Sequence, residues 1–224
     1  MTSTEPTAGT AGYRLYLVTD AALSRGRPVR QIVRAALAGG VTVVQYRDKA
    51  AATRVMIEEA LALRALCRAS GASFIVNDRV DVALAVDADG VHVGQDDMPA
   101  AMARRLIGPG RILGVSAGSP EEARRAEADG ASYVGASPIF ETPTKPDAPT
   151  AMGVEGLRRL AAMVSIPVVA IGGINRANAA AMIQAGAAGV AVVSAIMAAD
   201  NAREAAEAIR RAVEAASARE VTPS

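Results

Sequence analysis

The sequence predicts a single-domain (β/α)8 TIM barrel, and three observations lead there. Eight short runs rich in Val, Ile, Leu and Ala are each followed by a stretch of helical character. They recur at roughly 20 to 30 residues, the spacing of strand-crossover-strand units. Hydrophobic residues make up 51% of the 224, yet aromatics are only 3% and Trp is absent. The core must then be built of Ala, Val, Ile and Leu, as in parallel strands under Ala-rich helices. An open doubly wound sheet should show a glycine-rich dinucleotide turn after its first strand, and Thr19-Asp20-Ala21-Ala22 is no such turn.

Taken in order, residues 13–20 read as the first strand and 28–37 as a helix, with Val29, Ile32, Val33, Ala36 and Leu37 at helical spacing and Gly39-Gly40 as its stop. Residues 41–46 form the second strand, and 53–69 a long amphipathic helix ended by Gly71. The third strand spans 73–77, with a short helix over 80–86. The fourth covers 90–94, followed by a helix over 99–107. After a fifth strand at 111–116, Ser119-Pro120-Glu121-Glu122 supplies an N-cap, a proline suited to the first turn and an acidic start. Strands at 133–136, 166–171 and 189–193 alternate with helices at 154–163, 178–185 and 200–218. The barrel thus spans 13–218, with a disordered tail expected over 1–12 and a short C-terminal tail over 219–224. No composition shift marks a second domain.

Composition excludes several functions. Lys plus Arg is 24 and Asp plus Glu 23, and a net charge of +1 predicts no general attraction to nucleic acid or to acidic membranes. No window approaches about 18 uninterrupted apolar residues, and the polar start lacks the features of a secretory signal. A lone cysteine, Cys67, sits in an Ala/Leu helical pattern and reads as a packed thiol. A cytoplasmic location is expected, and a homo-oligomer is left open.

The chemistry lies where apolar strands stop. The first strand ends in Thr19-Asp20, the second in Gln45, Arg47 and Lys49, the third in Asn77-Asp78, the fourth in Gly94-Gln95 and the fifth in Ser116. A parallel barrel gathers these ends at one mouth. Each residue alone is equally a turn-former or cap. Their mixture suits a polyanion: Gln45, Arg47 and Lys49 alternate, so they lean to one side as donors. Asp78 and the pair Asp96-Asp97 are oxygen ligands of the type that bind Mg2+ loosely while substrate phosphates complete its shell. The proline-bearing loop over 141–147 presents hydroxyls and Lys145. Gly172-Gly173 and Val193-Ser194 each precede a helical stretch, where barrels often hold a phosphate through backbone N–H groups. The sole histidine, His92, alternates away from Val91 and Val93 and reads as structural or supporting.

These segments, from Leu15 to about Ala195, resemble the thiamine phosphate synthase family. The shared pieces are Leu15-Tyr16-Leu17-Val18-Thr19-Asp20, Gln45-x-Arg47-x-Lys49, Asn77-Asp78, Gly94-Gln95 with the acidic pair, Gly114-Val115-Ser116, Thr142-x-Thr144-Lys145, Ile171-Gly172-Gly173-Ile174 and Val193-Ser194. The resemblance implies a TIM-barrel transferase that joins hydroxymethylpyrimidine diphosphate to a thiazole phosphate and releases diphosphate. It implies that Gln45, Arg47, Lys49, Asn77, Ser116 and Lys145 hold the pyrimidine diphosphate, with Arg47, Lys49, Ser116 and Lys145 catalytic. Asp78 and Asp97 would ligate Mg2+, with Asp96 adjacent and able to share that role. Thr142, Thr144, Gly173, Val193 and Ser194 would hold the thiazole phosphate. Two rivals are a thiazole tautomerase-like isomerase, which would not need the diphosphate segments, and a catalytically silent barrel that senses thiamine phosphates.

Overall fold

The computed structural model describes residues 10–141 and 150–220. Eight strands, β1 (Leu15–Val18), β2 (Val43–Tyr46), β3 (Ser73–Asn77), β4 (Gly90–Val93), β5 (Ile112–Ala117), β6 (Tyr133–Ala136), β7 (Val168–Ile171) and β8 (Gly189–Val192), close in sequence order. Every neighbouring pair is parallel, and β8 returns to β1 through Leu15–Val190, Tyr16–Ala191 and Leu17–Val192. The chain is a single-domain (β/α)8 barrel.

Both faces of these strands are buried, which is why they read as continuous apolar runs rather than as polar-apolar alternation. The alternation survives as size and destination. Leu15 and Leu17 of β1 face the helices, while Tyr16 and Val18 face the barrel interior. The outer layer packs Val44, Phe74, Val76 and Leu113 against helices, and the inner layer stacks Tyr16, Val43, Ile75, Tyr133 and Val169. Tyr13, at the end of a 3-10 turn over Thr10–Tyr13, packs its ring on Tyr133 with centroids 4.7 Å apart.

The outer ring consists of α1 (Val29–Ala38), α2 (Thr53–Ala69), α3 (Val80–Ala85), α4 (Ala100–Ile107), α5 (Pro120–Ala128), α6 (Gly153–Ala161), α7 (Ala179–Gln184), α8 (Ser194–Met197) and α9 (Ala202–Glu220). Ser119 caps α5 as its sequence predicts, its hydroxyl accepting from the Glu122 N–H at 3.2 Å with Pro120 in the first turn. Pro28 instead lies just outside α1, in the capping position. β7 begins two residues later than expected, beyond Pro167, whose missing N–H cannot join a ladder. The four-residue α8 was not anticipated, because one turn is too short to show periodicity. Cys67 is fully buried, and loss of solvent pushes its thiol up to about 12, as suits a packed side chain. Among the described residues no helix is long and apolar enough to cross a membrane.

Candidate active site

Parallel strands deliver all their C-terminal ends to one face, and a cavity opens there. Ten sequence-predicted residues line it: Gln45, Arg47, Lys49, Asn77, Asp78, Asp97, Ser116, Gly173, Val193 and Ser194. Thr142, Thr144 and Lys145 lie outside the described residues.

The segment after β2 is fastened to the end of β1. Thr19 is fully buried, and its hydroxyl accepts from the Arg47 N–H at 3.0 Å. Asp20 takes the Ala22 N–H on one carboxylate oxygen at 3.0 Å and the Arg47 guanidinium on the other at 3.3 Å. This holds the Arg47 side chain at the rim, where a second anion can share its fork of donors. Lys49, more exposed, places its ammonium 3.5 Å from Asp78.

Asp78 follows β3 with φ 59, a left-handed conformation that Asp tolerates better than most residues. Its carboxyl is pushed up to about 6, first by burial and then by a hydrogen bond with Asp97 and that group's negative charge, with Lys49 opposing. Asp97 also accepts the Gly94 N–H at 2.8 Å, and a Cβ at Gly94 would lie 2.8 Å from the same carboxylate oxygen. Two carboxylates brought this close repel, and a divalent cation between them would relieve that repulsion. Among the described residues no group of three or more His, Cys, Asp or Glu side chains is arranged to hold a metal. Asp78 and Asp97 offer oxygen donors of the kind that suit Mg2+ when substrate and water supply the rest of its shell.

Opposite this acidic pair, the turn after β7 carries Gly172 at φ 106 and Gly173 at φ 68. A Cβ on Gly172 would lie 2.9 Å from Pro138 Cα, and one on Gly173 2.8 Å from Phe140 Cβ, so both positions need glycine. The turn is braced by Asn178, whose amide donates to the Gly173 carbonyl at 3.0 Å. Val193 and Ser194 lead from β8 into α8 on the neighbouring rim.

The cavity floor adds two tyrosines, Tyr16 and Tyr133, to which the sequence assigns no role of their own. Gln45 donates through Nε2 to the Tyr16 hydroxyl at 2.8 Å, and Tyr16 and Tyr133 share a 2.7 Å hydrogen bond. The Tyr133 hydroxyl meets His92 Nδ1 at 2.8 Å, and His92 Nε2 meets Ser116 Oγ at 2.9 Å. His92 thus links Tyr133 on the floor to Ser116 at the mouth. The signal that could have found the tyrosines is their placement at interior positions of β1 and β6 in a core otherwise short of polar groups.

Among known proteins, the thiamine monophosphate synthase family matches residues 15–196. The thiamine-phosphate synthase of Chloroflexus aurantiacus is 66% identical over 146 residues, covering 65% of this chain and 67% of that protein. That of Moorella thermoacetica is 55% identical over 144 residues, covering 64% and 69%. The solved thiamine phosphate pyrophosphorylase from Pyrococcus furiosus superposes with a TM-score of 0.86 at 48% identity, over 92% of this chain and 98% of that one.

Proposed function

Since the chain belongs to the thiamine monophosphate synthase family, and is therefore a transferase of thiamine biosynthesis, we propose that it couples hydroxymethylpyrimidine diphosphate to a thiazole phosphate by dissociative displacement with Mg2+. The observation that carries this reading is the meeting of two cations, Arg47 and Lys49, with two crowded carboxylates, Asp78 and Asp97, at one mouth. Mg2+ bound by Asp78 and Asp97 would neutralise charge on the leaving diphosphate. Arg47 and Lys49 add donors to the leaving diphosphate, and the family resemblance assigns Lys145 to the same substrate. Gln45 and Asn77 hold the pyrimidine diphosphate against this cluster, and Ser116 donates to it.

Departure of diphosphate leaves positive charge on the pyrimidine methylene, which the electron-rich aminopyrimidine ring can carry. The thiazole nitrogen then attacks that carbon, so no protein nucleophile is needed. Gly173, Val193 and Ser194, with Thr142 and Thr144, would hold the thiazole phosphate across the cavity, using backbone N–H groups that glycine leaves uncovered. Holding both substrates at one mouth replaces a bimolecular encounter in water.

The test is to incubate the protein with both substrates and Mg2+ and to measure diphosphate and thiamine phosphate together. Equimolar release is expected, with loss of turnover in EDTA. Substrate binding without diphosphate release would overturn the reading, and full turnover in EDTA would remove the metal from it.

A further inference from the structure

We propose that Gln45, Tyr16, Tyr133 and His92 form a one-way hydrogen-bond chain that fixes the Ser116 hydroxyl as a donor aimed into the mouth, making His92 and Tyr133 positioning residues. The inference rests on reading Ser116 as a contact of the leaving diphosphate.

Direction follows from what each group can give. The Gln45 amide nitrogen can only donate, and it does so to Tyr16. The buried Tyr16 proton needs an acceptor, and the one the structure sets beside it is the Tyr133 hydroxyl at 2.7 Å, so Tyr16 donates there and Tyr133 passes its own proton to His92 Nδ1. Nδ1 is then the bare nitrogen of a neutral imidazole, and Nε2 carries the proton given to Ser116 Oγ. With its oxygen occupied from below, the Ser116 hydroxyl keeps its own proton for the cavity. The same polarity denies Ser116 a base and so makes it a poor nucleophile.

The surroundings are built for this chain. Tyr16 and Tyr133 are each 1% exposed, and burial raises both phenols far above their usual range, so they remain proton donors. The links span β2, β1, β6, β4 and β5, so only closure of the barrel assembles them. Two glycines clear the space. A Cβ on Gly114 would overlap both Tyr133 Oη and His92 Nδ1, and one on Gly135 would press on His92 Cε1 at 3.1 Å. A small side chain at position 114 would sit where the Tyr133–His92 bond runs.

Because the chain has a single histidine, nitrogen-15 imidazole spectra of untagged protein carry one assignment. At about pH 8, where a free imidazole is neutral, the expected pattern is protonation at Nε2 only. Protonation at Nδ1, or at both nitrogens, overturns the proposal. In Tyr133→Phe the single-tautomer pattern should become mixed, and kcat should fall about tenfold as the Ser116 donor loses its orientation, while KM for the thiazole phosphate stays within about twofold. An unchanged tautomer together with unchanged kcat overturns it. Should that variant not fold, Tyr16→Phe makes the same test one link further from the mouth. Wild-type protein that releases no diphosphate would refute the proposed reaction, and the tautomer would still decide the direction of the chain.

Discussion

Asp78 carries the clearest consequence at the scale of a single residue. Its carboxyl sits at about 6, above the ordinary aspartate value of about 3.9, because it is buried beside Asp97. A raised pKa means that the folded state binds this proton more tightly than the unfolded chain does. The resulting stabilisation is complete below about pH 4 and is lost as pH rises through about 6. Asp78→Asn removes the charge and keeps the left-handed backbone, which Asn also tolerates. Ligand-free Asp78→Asn should therefore melt higher than the wild type at about pH 7.5, match it near pH 4, and lose turnover. Equal melting temperatures at both pH values would show that the two carboxylates do not repel. Arg47→Ala acts differently, since its ion-pair partner among the described residues is the partly exposed carboxylate of Asp20, and such pairs contribute about 1 kcal/mol or less. Turnover should drop roughly 100-fold with little change in melting, as read by diphosphate release and calorimetry on the same preparation. The alternation of Gln45, Arg47 and Lys49 was legible in the sequence because donors interrupt an apolar run. The Tyr16–Tyr133 bond was not, because its partners are 117 residues apart and each reads locally as core.

At the scale of elements, the loops beyond the strands divide the work. The β2 and β3 ends bring charge, and the β7 end brings close backbone approach through two glycines in the left-handed region. Gly173→Ala places a methyl group 2.8 Å from Phe140 Cβ and costs about 1–2 kcal/mol for the backbone conformation alone. The variant should lose about that much stability in urea and raise KM for the thiazole phosphate roughly tenfold, with KM for the pyrimidine diphosphate nearly unchanged. A rise confined to the pyrimidine substrate would place the two substrates the other way round. Strand order and the α5 cap were readable because β-branched runs, Ser-Pro-Glu-Glu and Gly-Gly are local signals. The start of β7 and the existence of α8 were not, since a proline at a ladder edge and a single helical turn leave little pattern.

At the scale of the molecule, closure is what turns scattered segments into a site. The seam is the β8–β1 pair, where a Cβ on Gly189 would overlap the Tyr13 carbonyl. Gly189→Ala should cost about 1–3 kcal/mol by forcing these strands apart, seen as a lower urea midpoint, and should weaken turnover because Tyr16 and Ala191 face each other across that seam. A midpoint equal to that of the wild type would mean the seam can yield without strain. The composition that first pointed to the barrel also gives it a built-in optical reporter. With no tryptophan and four tyrosines, two of them lining the cavity, part of the near-ultraviolet emission arises at the cavity floor. A ligand settling above Tyr16 and Tyr133 should change that glow directly, without any dye or label.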